Sequence, residues 1–220
     1  MTTYMLRFTL QSGATFGRGD GVAGLLDEEV DRDADGMPFL RGRTLKGLLA
    51  EECANLLYAL TLQEKAEQWR DRAYRVFGYP GSTSKDTGML RVGDARLPKP
   101  LRDAIRVMID TADLSADEVF ESLTAIRRQT SINEHGAPEK GSLRSMRIIL
   151  PGTIFESRLE FAETPDDQTL ALVAACVLAW RRAGTGRNRG RGRLQAHLLD
   201  SDGTDITERF FRVFAGKVAQ

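Results

Sequence analysis

The chain has 220 residues, and its Lys plus Arg and Asp plus Glu totals are both 31, so the formal net charge is zero. That length allows one large domain or a core with insertions, and neutrality excludes a uniformly basic nucleic-acid surface while leaving local basic stripes possible. The two cysteines, Cys53 and Cys176, sit in helical apolar patterns and read as core thiols; with no signal-like opening segment and a longest apolar run, Leu170 to Trp180, too short for a bilayer, a cytoplasmic protein without membrane contact is expected.

Tyr4 to Leu10 alternates apolar and polar side chains and predicts an opening strand. Residues 11–36 are rich in glycine and acid, lack periodicity and predict a long acidic loop; a loop of that length inside a compact domain usually has a function. Thr44 is expected to cap a helix whose stripe, Leu45, Leu48, Leu49, Cys53, Leu56 and Leu57, packs on a sheet. The free N–H groups at its start, beside Arg41, Arg43 and Lys46, form a natural seat for phosphate, and Gly42 and Gly47 would bring backbone close to a partner.

An insertion over about residues 61–88 combines a polar helix, Gln63 to Arg75, with a Gly/Ser/Thr/Lys loop. Met89 to Leu97 is a strand broken at Gly93-Asp94, and Leu101 to Leu123 is helical or irregular. Residues 127–147 are basic and too poor in apolar side chains to build a core, so they predict a projecting hairpin or thumb. There Arg127, Arg128, Arg144 and Arg147 are placed to meet a phosphate backbone, with Ile132, Leu143 and Met146 as apolar wedges against bases. Thr153 to Phe161 alternates as a strand, Thr164-Pro165-Asp166-Asp167 opens a buried helix running to Trp180, and Leu194 to Leu199 resumes a strand.

Between helix and last strand, residues 184–193 hold four glycines and four arginines. Gly184, Gly186, Gly190 and Gly192 permit positive φ and close backbone approach, while Arg187, Arg189, Arg191 and Arg193 can pair bidentately with phosphates. The stretch reads as a nucleic-acid clamp. The element order implies an α+β class, a ferredoxin-like (RRM-like) palm with an inserted thumb hairpin and a long acidic loop, in one domain spanning residues 1–220.

Met37-Pro38-Phe39-Leu40-Arg41-Gly42-Arg43-Thr44-Leu45-Lys46-Gly47 resembles the Pro-x-x-x-Gly-x-Ser/Thr-x-Lys-Gly helix start of the RAMP superfamily of CRISPR effector complexes, and the glycine-arginine loop is similar to that superfamily's second mark. Phe77-Gly78, Gly93-Asp94-Ala95, Ser131-Ile132-Asn133 with Gly141-Ser142-Leu143-Arg144, and Pro151-Gly152-Thr153-Ile154-Phe155 follow in the order of the type III backbone subunit, and Leu40-Arg41 is similar to the III-D branch beside III-A. The resemblance implies partners: a crRNA guide kinked by the thumb, a paired target RNA, further copies of the chain and other effector subunits. It also implies a loop aspartate that cleaves target RNA with Mg²⁺ or another divalent cation. The family's pattern falls on Asp27-Glu28-Glu29-Val30-Asp31-Arg32-Asp33, making Asp27 the candidate for both catalysis and metal binding, with Asp20, Asp31, Asp33 and Asp35 as rivals. Two glutamates follow Asp27 where small or neutral residues are common. The alternatives are a non-cleaving structural subunit and a guide-processing ribonuclease using His135; His197 reads as a packed or surface residue.

Overall fold

A computed structural model describes residues 2–17, 27–79, 88–130, 136, 139 and 142–219. The palm is a four-stranded antiparallel sheet built from β1 (Thr2–Leu10), β2 (Leu90–Val92), β5 (Ile154–Phe161) and β6 (Leu194–Leu199), in the order β2-β5-β1-β6. With α1 (Gly42–Thr61) after β1 and α5 (Asp167–Ala179) after β5, this is the ferredoxin-like topology expected from the element order. Alternation sets the layers. Leu6, Phe8 and Leu10 of β1 face inward beside Phe155, Leu159 and Phe161 of β5, whereas Arg7 and Arg158 are exposed. Phe8 stacks on Phe155 with ring centroids 5.2 Å apart and meets Trp180 edge-on at 4.9 Å.

The helix α5 is apolar all round because it is covered on all sides. Thr169 through Val177 are buried between the sheet, α1, α2 (Glu67–Phe77) and α6 (Thr207–Ala219). Behind α1 and α5 a second apolar cluster gathers Cys53, Trp69, Cys176 and Phe214, so both cysteines are free core thiols; burial first, then Cys53 alongside, pushes the Cys176 thiol pKa up. The sequence reading left α6 out. Its Phe210, Phe214 and Val218 repeat at helical spacing and pack on the palm helices.

Two helix starts differ from expectation. The α1 N-cap is Arg41, in extended conformation, and Thr44 lies within the first turn; the Gly42 N–H is met by Asp94 Oδ1 at 2.9 Å. For α5 the cap is Asp166, whose carboxylate accepts from the Thr169 N–H at 2.7 Å, while Thr164 instead faces Thr2 across 3.2 Å. The insertion between β2 and β5 contains α3 (Lys99–Asp110), α4 (Ala116–Leu123) and the thumb strands β3 (Thr124–Gln129) and β4 (Arg144–Ile149), paired antiparallel with Thr124 opposite Ile149. The hairpin expected at about 127–147 is thus present, and its strands reach two or three residues beyond. Of the insertion expected at 61–88, α2 is described and residues 80–87 lie outside the described residues; of the acidic loop, residues 11–17 and 27–36 are described. Among the described residues no helix is long and apolar enough to cross a membrane.

Candidate nucleic-acid interface

Three segments that the sequence treats as separate meet at the thumb base. The end of the acidic loop lies along β4: Asp27 N–H donates to the Ser145 carbonyl at 2.8 Å, Ser145 N–H donates to Asp27 Oδ2 at 2.8 Å, and Arg147 N–H donates to the Glu28 carbonyl at 3.0 Å. Glu29 Oε1 accepts from Arg147 Nε at 3.0 Å, and Glu28 Oε2 accepts from the Thr185 hydroxyl of the glycine-arginine loop at 2.5 Å. Three consecutive acids therefore fasten this segment to thumb and palm.

The glycine-arginine loop is closed at its neck, where Ala183 N–H donates to the Gly192 carbonyl at 2.9 Å and Gly192 N–H to that of Gly13 at 3.0 Å. Within it Arg187–Arg189 form a 3₁₀ turn flanked by Gly186 and Gly190, both left-handed. Two of the four glycines serve the protein's own packing. A Cβ on Gly184 would come within 2.5 Å of the Thr15 carbonyl oxygen, and one on Gly192 within 1.8 Å of the Ala183 carbonyl oxygen. Gly190 faces open space, and Gly186 borders the Arg191 side chain. Close approach to a partner is thus available at the turn, not at the neck.

Between this loop and the thumb base lies a cleft of about 510 Å³, lined by Arg144, Arg187, Arg189 and Arg191 together with Glu28, Gln129, Met146 and Asn188. Arg191 is 5% exposed, and its guanidinium is set on the Met146 sulfur and the Gln129 amide oxygen while Nε has no partner. Desolvation lowers its pKa, partly offset by Glu28. An adjoining cleft of about 230 Å³ runs between Phe16, Phe39, Thr44 and Leu48.

The remaining expected contacts divide sharply. Arg43, Arg127, Arg128, Arg144, Arg189 and Arg193 are exposed and make no salt bridge among the described residues. Arg187 holds Glu51 through two contacts of 2.8 and 2.9 Å from Nη2. Arg41 donates to the buried Asp31 carboxylate at 2.7 Å, a bond that raises the arginine's pKa. Arg147 is not a free backbone contact: it is half-buried, binds Glu29 and the Thr124 hydroxyl, and lies over Phe120 with 4.8 Å to the ring centroid. Lys46 also turns inward, donating to the Leu90 carbonyl at 2.8 Å, with desolvation lowering its pKa. The expected wedge Met146 is buried, whereas Leu143 is exposed; Ile132 and His135 lie outside the described residues. Gly42 packs against the Val92 carbonyl, and only Gly47 of that pair opens outward. His197 is partly exposed, with Nδ1 2.7 Å from Asp205 Oδ2.

The acids sort as well. Asp31 takes Arg41, Asp33 accepts from the Asp35 and Met37 N–H groups and from Arg96, and Asp35 takes Arg106. Asp20 lies outside the described residues. Asp27 is exposed, and among the described residues one of its carboxylate oxygens has no partner and the group has no cationic partner. No group of three or more potential metal ligands occurs among them. A hard divalent ion at Asp27 would thus draw its other ligands from water and substrate phosphates, a donor set that suits Mg²⁺. Sequence reasoning missed Thr185 and Gln129, and it met Glu28 and Glu29 only as departures from a pattern. The two glutamates are held by Arg147 of β4, more than a hundred residues away.

A family model described as the RAMP superfamily matches residues 7–195. No curated protein matches the sequence. Among solved structures, the chain is similar to one from the cryo-EM structure of type III-B Cmr-beta bound to cognate target RNA, with a TM-score of 0.62 at 15% identity, covering 90% of this chain and 97% of that one. It is similar to another from the apo state of the same type III-B assembly, with a TM-score of 0.60 at 15% identity, covering 91% and 98%. These likenesses are of fold. The motif resemblance pointed to III-A and III-D, whereas the matched chains come from III-B.

Proposed function

The chain belongs to the RAMP superfamily, and from that premise we propose that it is a guide-RNA-binding backbone subunit of a type III CRISPR effector whose Asp27 serves cleavage of the paired target RNA. The observation that carries this reading is the cleft between thumb base and glycine loop, lined by Arg144, Arg187, Arg189 and Arg191. Guanidinium groups without acidic partners bind phosphates bidentately, and a glycine turn admits the strand to the main chain. A type III-B chain of the same fold, solved with cognate target RNA, supports RNA and effector subunits as the partner class; the guide and further copies follow from the motif resemblance.

For cleavage, the ribose 2′-hydroxyl beside the scissile phosphate is the nucleophile, and it must lie in line with the leaving oxygen. Asp27 would hold a divalent ion that neutralises charge on the phosphate and leaving oxygen. The protein's own part is positional: the Ser145 N–H fixes one oxygen of Asp27 and leaves the other outward. Asp27→Ala is expected to abolish target cleavage while guide affinity stays within about twofold, measured on labelled target and guide strands. Retained cleavage contradicts the assignment and passes the role to Asp20, since Asp31, Asp33 and Asp35 are committed to internal pairs.

A further inference from the structure

The cleft that gathers Arg144, Arg187, Arg189 and Arg191 also admits one carboxylate, Glu28. In a groove that takes a polyanion this charge is unfavourable unless the ligand offers it a donor. Its charge acts on the buried Arg191, but among the described residues Glu28 makes a salt bridge with none of the cleft's arginines. Oε2 accepts from the Thr185 hydroxyl at 2.5 Å, and Oε1 has no partner among the described residues. The group is also held in place. Arg147 N–H binds its carbonyl, the flanking Asp27 and Glu29 are bonded to Ser145 and Arg147, and Thr185 N–H donates to the Thr15 carbonyl at 3.0 Å.

An ionised carboxylate only accepts hydrogen bonds, and the sugar-phosphate backbone of an RNA strand offers one donor at every nucleotide, the ribose 2′-hydroxyl. DNA lacks it. We propose that Glu28 is a specificity-determining residue of this cleft, accepting the 2′-hydroxyl of a bound strand through Oε1 and so selecting RNA over DNA. The inference rests on the cleft being the nucleic-acid interface proposed above. Selection has two sides: a charge-assisted hydrogen bond favours RNA, and an unpaired carboxylate facing phosphates disfavours a deoxy strand.

The test measures binding of one single-stranded sequence as RNA, as DNA and as 2′-fluoro RNA, which keeps the RNA sugar pucker but has no donor. Wild type is expected to bind RNA about tenfold more tightly than either other strand, in line with one charged hydrogen bond. E28A should reduce both ratios to about one, with DNA affinity rising as the repelling charge is removed, and E28Q, which keeps an acceptor oxygen, should retain part of the preference. Equal affinity of wild type for RNA and 2′-fluoro RNA overturns the proposal without reliance on any variant. So does an E28A protein whose three affinities rise together at unchanged ratios, because Glu28 would then only temper the arginines. Wild type that binds none of the strands overturns the interface itself, an outcome distinct from loss of discrimination.

Discussion

The acids of residues 27–35 share a composition but not a chemistry. Asp31 is buried and accepts from Arg41, whose own side chain stays open to solvent, so Asp31→Ala removes a charge-assisted bond of a buried carboxylate and should lower unfolding stability by about 1–3 kcal/mol in urea titration. Asp27 is exposed and bonded only to strand β4, so Asp27→Ala should change stability by no more than about 0.5 kcal/mol, and a larger loss would show that it serves the fold. The same contrast separates the bases. Lys46 binds a carbonyl and Arg147 binds Glu29, whereas Arg128 and Arg144 face solvent. None of this is legible in the sequence, since the partners of Asp33 and Asp35 are Arg96 and Arg106, 63 and 71 residues away. A chain read in order shows an acidic stretch and a basic stretch, and only folding shows which charges cancel.

Elements carry the next set of consequences. The α5 cap couples three parts of the palm, because Asp166 accepts from Thr169 and is bridged by Arg72 of α2 at 2.5 Å. Desolvation alone would raise its pKa, but the bonds from Arg72 and Thr169 prevail and pull it down to about 2. A carboxyl depressed in the folded state contributes stability that is present above its unfolded pKa, near 3.8, and is lost as pH falls through the folded value. Acid unfolding should therefore steepen between about pH 4 and pH 2, and Asp166→Asn should flatten that window. Glycines test the loops: Gly192→Ala forces a Cβ to 1.8 Å from the Ala183 carbonyl oxygen at φ +64° and should destabilise strongly. Gly47→Ala meets nothing, so by melting it should add about 0.5–1 kcal/mol of stability while weakening RNA binding if a strand lies against that turn. Strands and buried helices were legible from their period, as β1, β5 and α5 show. The α1 cap was not, because Asp94 reaches it from 52 residues away. α6 was overlooked although its phenylalanines carry the signal.

For the whole molecule, a net charge of zero conceals a division of labour. Glu29, Asp31, Asp33, Asp35 and Glu51 are each consumed by an arginine of the same chain. Among the described residues around the thumb and glycine turn, Arg127, Arg128, Arg144, Arg189 and Arg193 are exposed without a salt bridge, against the acids Asp27 and Glu28. Composition thus argued weakly against a polyanion partner, while the fold gathers four arginines into the cleft proposed to hold one. The palm topology followed from element order, but the meeting of acidic segment, thumb base and glycine loop did not, because strand β4 joins them only in three dimensions. The most direct test of a polyribonucleotide site there is titration with single-stranded RNA over a range of salt concentrations. The account predicts binding at low ionic strength whose affinity falls linearly on log–log axes, with a slope reduced by about one in Arg144→Ala and unchanged in Lys46→Ala. RNA binding that is absent at low ionic strength, or whose slope ignores Arg144, would contradict it.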